Sequence, residues 1–122
     1  GYLYLTDRKN FLIISGAANV YPSVVETVLA EHPAVREVAV IGAPHPEWGE
    51  AVVATVSLRE GAHVSAAELL EFCRPRLAKY ELPKHIEIVA DLPKGLTGKI
   101  LKKNIQGWYK ENPARLPWKP VD

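Results

Sequence analysis

A chain of 122 residues with fifteen Lys and Arg against fourteen Asp and Glu has room for one modest core and carries almost no net charge. That balance excludes the broad basic field that attracts nucleic acid or anionic membrane, and no apolar run approaches the roughly eighteen residues of a membrane span. The single cysteine, Cys73, closes no internal disulfide, and the histidines at 32, 45, 63 and 85 lack the spacing of a metal site, so no metal is expected and a reducing cytoplasm fits. The sequence starts at Gly1 in mid-pattern and holds no methionine, which reads as a piece of a longer protein.

Residues 2–6 and 11–15 are rich in strand formers and are separated by the polar run Asp7, Arg8, Lys9, Asn10, a link able to bend. Residues 16–21 read as a loop. Pro22 then stands where a first helical position falls, with Val24, Val25, Val28 and Leu29 on one face and His32-Pro33 as the stop. Residues 35–41 and 51–58 predict two strands that pair as a wide hairpin, its Pro- and Gly-punctuated loop holding His45, Trp48, Gly49 and Glu50.

Ser65 followed by Glu68 is a capping-box pattern, and Leu69, Leu70, Cys73 and Leu77 continue it as an apolar helical face that Pro75 must kink or shorten. Residues 85–90 predict a third strand, and a last helix carries Ile100, Leu101 and Ile105. The order ββαββαβα predicts an α+β fold: a small sheet of about three main strands flanked by helices, with a two-stranded hinge region at the N-terminal end. Residues 108–122, with Pro113, Pro117 and Pro120 and no sustained periodicity, predict an extended tail.

Between the third strand and the last helix lies P-K-G-L-T-G-K-I, residues 93–100. It is not a P-loop, because its glycines enclose only two residues and Ile100, not Ser or Thr, follows Lys99. Nor does local stability call for Lys99, since a cation near a helix start meets the positive end of the helix dipole. The G-L-T-G run also has the GxxG form of a KH nucleic-acid module, although there the loop joins two helices and here it follows a strand.

Four ordered segments, G-Y-L-Y-L-T-D-R-K-N, I-I-S-G-x-x-N-V-Y-P-x-x-V-E, V-A-V-I-G-x-P-x-x-x-W-G-E and L-P-K-x-x-x-G-K-I-L, together resemble the C-terminal domain of the acyl-adenylate-forming (AMP-binding) enzymes, of the acyl- and aryl-CoA synthetase type. The resemblance covers about residues 1–106. It implies that 1–10 are the end of a large domain and a hinge segment, that 11–107 are the mobile C-terminal domain of a ligase, and that the large N-terminal domain binds ATP, Mg and the carboxylic acid. It implies an ATP-dependent acid–thiol ligase that makes an acyl-adenylate and then an acyl-CoA, inactive as this fragment alone. Nucleic acid and a membrane span are not among the expected partners.

By the same resemblance Lys99 is the catalytic adenylation lysine, an ammonium that offsets charge growing on the α-phosphate as a carboxylate attacks it. Arg8 is similar to the arginine that contacts the nucleotide ribose, and Asn10 falls at the pivot, where the family usually has Asp or Lys. Gly16 and Ala17 resemble the wall of the pantetheine tunnel, where the family more often has a second glycine. Trp48 is expected beside the thiol arm, and Lys79 and Lys84 near the CoA phosphates. Plainer readings stand beside these: a solvated loop lysine for Lys99, an ordinary polar turn for 7–10, a loop-covering aromatic for Trp48, surface charges for Lys79 and Lys84. Glu26 and Glu50 read as structural, and Cys73 as a core thiol. A carrier-protein phosphopantetheine is the alternative acceptor to CoA.

Overall fold

The computed structural model describes residues 12–118. Its strands are β1 (Ile13–Ser15), β2 (Ala18–Val20), β3 (Val35–His45), β4 (Gly49–Leu58) and β5 (His85–Ile88). The helices are α1 (Pro22–Ala30), α2 (Ala66–Cys73) and α3 (Lys102–Glu111), with 3-10 turns at Lys79–Glu81 and Pro113–Arg115. The order in space is β2-β1-β4-β3, with β5 parallel to β4 from Val53 to Val56 and every other pairing antiparallel. The α+β class agrees with the sequence reading, as does the order αββαβα from the first helix on; of the two strands expected before it, 11–15 corresponds to β1 and 2–6 lies outside the described residues.

Helices on both faces explain the composition of β4. Val52, Ala54 and Val56 pack with Val25 and Leu29 of α1 and Leu69 and Cys73 of α2, whereas Val53 faces Ile105 and Tyr109 of α3. A strand covered on both sides shows a continuous apolar run rather than alternation, as A-V-V-A-T-V does here. Thr55, the polar member of the run, is satisfied by donating to the carbonyl of Ala39 at 3.0 Å.

The helix ends follow the local chemistry. Pro22 is the first residue of α1, and the Ser65 hydroxyl accepts from the Glu68 amide while the Glu68 carboxylate accepts from the Ser65 amide, a complete capping box. Arg74 still has helical backbone, φ −52° and ψ −48°, and donates to the Leu70 carbonyl; α2 ends there because Pro75 has no amide hydrogen to give to the Glu71 carbonyl.

Four expectations need correction or completion. The predicted strand at 2–6 and the polar link at 7–10 lie outside the described residues. Residues 16–21 are not all loop, because Ser15 pairs with Ala18 across a two-residue turn and Ala18–Val20 forms β2. Gly16 at φ 61° with Ala17 at negative φ has the form of a type II′ hairpin turn, which needs Gly first. The β3–β4 hairpin is tight rather than wide: its ladder runs to His45 opposite Gly49, leaving three residues at the tip. The sheet holds Pro44 in β3, opposite Glu50.

The fourth concerns the C-terminal segment. Residues 108–111 continue α3, and 113–115 form a 3-10 turn instead of an extended tail. Tyr109 and Leu116 are buried in the α3-side core, against which Trp108 and Trp118 also pack. Burial of these large side chains overrides the irregular look of a proline-containing sequence.

Candidate functional site

Lys99 is held by a small hairpin of its own. Lys94 and Ile100 form an antiparallel bridge, the Gly98 amide donates to the Gly95 carbonyl at 3.0 Å, and the Gly95 amide donates to the Lys99 carbonyl at 2.9 Å. Leu96 and Thr97 turn the chain and Gly98, at φ 83°, completes the bulge that restores register. The glycine pattern is therefore a turn requirement, not a phosphate cradle. No pair of helices flanks it, so the frame of a KH module is missing. Leu101 anchors the far end by donating to the Pro93 carbonyl at 2.8 Å.

The backbone of Lys99 is thus fixed while its side chain is exposed. Among the described residues Lys99 and Lys103 belong to no ion pair, whereas their basic neighbours do. Lys94 reaches Glu37 at 2.9 Å and Asp91 at 3.0 Å, contacts that raise its pKa, the hydrogen bond to Glu37 foremost. Lys102 is buried and lies 2.7 Å from Glu26, whose carboxylate also accepts from the Val40 amide. One carboxylate so ties α1, β3 and the start of α3 together beside the Lys99 hairpin. An open hollow of about 600 Å³ is lined by Lys99, Lys103 and Asn104 on one side and Glu26 and Glu37 on another.

A second, separate groove, of about 530 Å³, brings together Gly16, Ala17, Trp48 and Lys84. Its floor is the β1–β2 turn, small because Gly16 has no side chain and Ala17 only a methyl group. Its wall is the indole of Trp48, with the Lys84 ammonium 4.8 Å from the ring centroid. Ser15, Ala18 and Tyr80 complete the lining. Lys79 neighbours Tyr80 in the 3-10 turn but does not line the groove. Arg8 and Asn10 lie outside the described residues.

Two features missed by the sequence reading shape this groove. Tyr80 is half exposed between the two candidate lysines, and an aromatic residue inside K-Y-E-L-P-K was the available signal. His45 stacks on Trp48 with ring centroids 4.2 Å apart and planes 10° from parallel. Its Nδ1 accepts from the amides of Glu47 and Trp48 at 3.1 and 3.3 Å, which caps the hairpin tip. Glu50 is structural as expected, but over a long range: its carboxylate accepts from the Ile14 amide at 3.0 Å, and a side chain at Gly42 would strike it.

Cys73 is fully buried, and burial raises its pKa, so it is a core thiol rather than a nucleophile. Among the described residues no His, Cys, Asp and Glu cluster could hold a metal ion, and no helix is long and apolar enough to cross a membrane.

The family model of the AMP-binding enzyme C-terminal domain matches residues 24–99. The chain is 45% identical over 106 residues to a 2-succinylbenzoate–CoA ligase of Geobacillus kaustophilus, covering 87% of this chain and 22% of that protein. It is 44% identical over 109 residues to a long-chain-fatty-acid–CoA ligase of Mycobacterium tuberculosis, covering 89% and 22%. Among solved structures it aligns with a Mycobacterium tuberculosis fatty acyl CoA synthetase at TM-score 0.79 and 42% identity, over 84% of this chain and 20% of that one. The o-succinylbenzoate CoA synthetase of Bacillus subtilis, in complex with its acyl-adenylate intermediate, aligns at TM-score 0.74 and 41% identity, over 80% and 20%. The chain spans about a fifth of the length of these proteins.

Proposed function

The chain belongs to the AMP-binding enzyme C-terminal domain family, and on that premise we propose that it is the mobile domain of an ATP-dependent carboxylic acid–CoA ligase. In this reading Lys99 serves acyl-adenylate formation and the Gly16–Trp48 groove admits the pantetheine arm in thioester formation. The observation that carries it is the groove: three separated segments converge on a small-residue floor, an aromatic wall and a cation, which suits a narrow thiol arm tipped with phosphates.

Lys99 fits its part because its backbone is pinned on both sides while its ammonium is left to solvent. An ammonium carried on a pinned backbone to the point where carboxylate and α-phosphate meet offsets the charge that grows there. ATP, Mg and the acid are held mainly by a large N-terminal domain, with Arg8 at the ribose and Asn10 as the pivot between orientations. Lys84 meets the CoA phosphates as a point charge beside Trp48, and Lys79 adds a second positive charge from the neighbouring 3-10 turn. CoA is the acceptor in preference to a carrier protein because Lys84 is built into the groove wall. The protein is assigned to the cytoplasm, where ATP and CoA are both at hand.

The test is the pair of half-reactions on one full-length Lys99→Ala variant. Single-turnover acyl-adenylate formation should slow by about 10²–10³-fold, the scale for losing one electrostatic stabiliser. Thioester formation from supplied acyl-adenylate should be largely spared, and Lys99→Arg should not restore adenylation because its planar fork is wider than an ammonium. Adenylation at the parent rate in Lys99→Ala would return this residue to a solvated loop lysine.

A further inference from the structure

We propose that the segment from Arg115 to Trp118 is a strap that positions Trp48, through His45, for the thiol arm of CoA; this rests on the function proposed above. The family match ends at residue 99, so the strap lies outside it. Three anchors hold it down. The Arg115 guanidinium pairs with Glu87 of β5, whose carboxylate also accepts from the Tyr109 hydroxyl at 2.8 Å. Leu116 is buried in the α3-side core. Trp118 donates its indole N–H to the Pro44 carbonyl at 2.8 Å, and its ring lies 4.9 Å from that of His45.

His45 connects the strap to the groove. It is 9% exposed, has Trp48 and Trp118 both within ring-contact distance, and accepts the Glu47 and Trp48 amides on Nδ1. That acceptor role places its ring proton on Nε2. Trp48, by contrast, is 38% exposed and has solvent along its groove side. Without support from behind, a tryptophan at a three-residue hairpin tip must be ordered by the ligand when it binds, an entropic cost that weakens binding. The strap orders it in advance. His45 and Trp118 are positioning residues, since neither lines the groove.

The experiment uses the full-length enzyme and reads thioester formation from supplied acyl-adenylate while CoA is varied. Trp118→Ala should raise the KM for CoA about three- to tenfold with kcat and the adenylation rate within twofold of the parent, the range set by ordering one side chain. Trp118→Phe, which keeps a ring against His45, should lose less. Trp48→Ala should raise the same KM, and adding Trp118→Ala to it should raise it no further, because the strap then has nothing to position. A parent-like KM in Trp118→Ala with a raised KM in Trp48→Ala would overturn the strap and leave the groove standing. Additive effects in the double variant would overturn it as well. A parent-like KM in Trp48→Ala would overturn the groove reading and the strap with it.

Discussion

The amide of Gly16 donates to the carbonyl of Trp48 at 3.0 Å, so the turn that forms the groove floor is bonded to the hairpin tip that forms its wall. A Cβ added at Gly16 would meet Trp48 Cδ1 at 3.8 Å, an ordinary contact. Space is therefore not what requires glycine; the φ of 61° is. Gly16→Val should destabilise the fold by about 1–2 kcal/mol, the cost of left-handed backbone for an L-residue. Gly16→Asn should cost less, because its short polar side chain tolerates that region. Urea unfolding of the two variants checks the order.

Pyrophosphate exchange by this 122-residue chain alone should stay at background with any acid, while circular dichroism shows a folded α+β domain. One lysine on a loop supplies charge but not the orientation of two substrates, which is the larger part of such a rate. Acid-dependent exchange above a heat-inactivated control would place the whole active site within these residues.

Ser65→Ala should lower stability by about 1 kcal/mol, the usual loss for an N-cap hydroxyl, because the Glu68 amide on α2 loses its acceptor while the backbone amide of residue 65 can still donate to the Glu68 carboxylate. Both half-reactions of the full-length enzyme should be unaffected, since α2 lines neither the groove nor the hollow beside Lys99.

Acid should destabilise the domain in two stages. Burial lowers the pKa of His85 below its ordinary 6.5, so the unfolded chain takes up that proton first and stability falls as the pH drops through 6.5. Burial alone would raise the Glu87 pKa, but hydrogen bonds from Arg115 and Tyr109 outweigh it and hold the carboxyl below its ordinary 4.5. Its contribution is present above pH 4.5 and lost as the pH falls through the lower folded value. Urea midpoints measured from about pH 8 to about pH 3 should show both slopes. His85→Gln should remove the upper one, and Glu87→Gln should flatten the lower one while lowering stability at neutral pH.

Much of the fold was legible because its signals are local. Pro22 at a helix start, the Ser65 and Glu68 pair, Pro75 as a stop and the apolar runs of β3 and β4 each act within a few residues of where they stand. β2 was missed because three residues carry too little periodicity to register, and its only mark was a Gly-Ala pair suited to a type II′ turn. The proline-containing C-terminal segment was misjudged because Tyr109, Leu116 and Trp118 take their structure from a core surface supplied by β3 and β4.

The candidate site divides in the same way. The sequence by itself determined that Lys99 follows a Gly-punctuated loop, and the resemblance of its ordered motifs to a known family marked as the residues to watch Arg8, Asn10, Lys79, Gly16, Ala17, Trp48 and Lys84, because such motifs are properties of neighbours along the chain. Only the tertiary structure decided that the last four share one groove, that Lys94 and Lys102 are engaged in ion pairs while Lys99 is in none among the described residues, and that His45 and Trp118 stand behind Trp48. The physical reason is that these relationships join residues far apart along the chain, 74 positions for Trp118 and Pro44, brought together only when both faces of the sheet are covered and the helices are fixed against it.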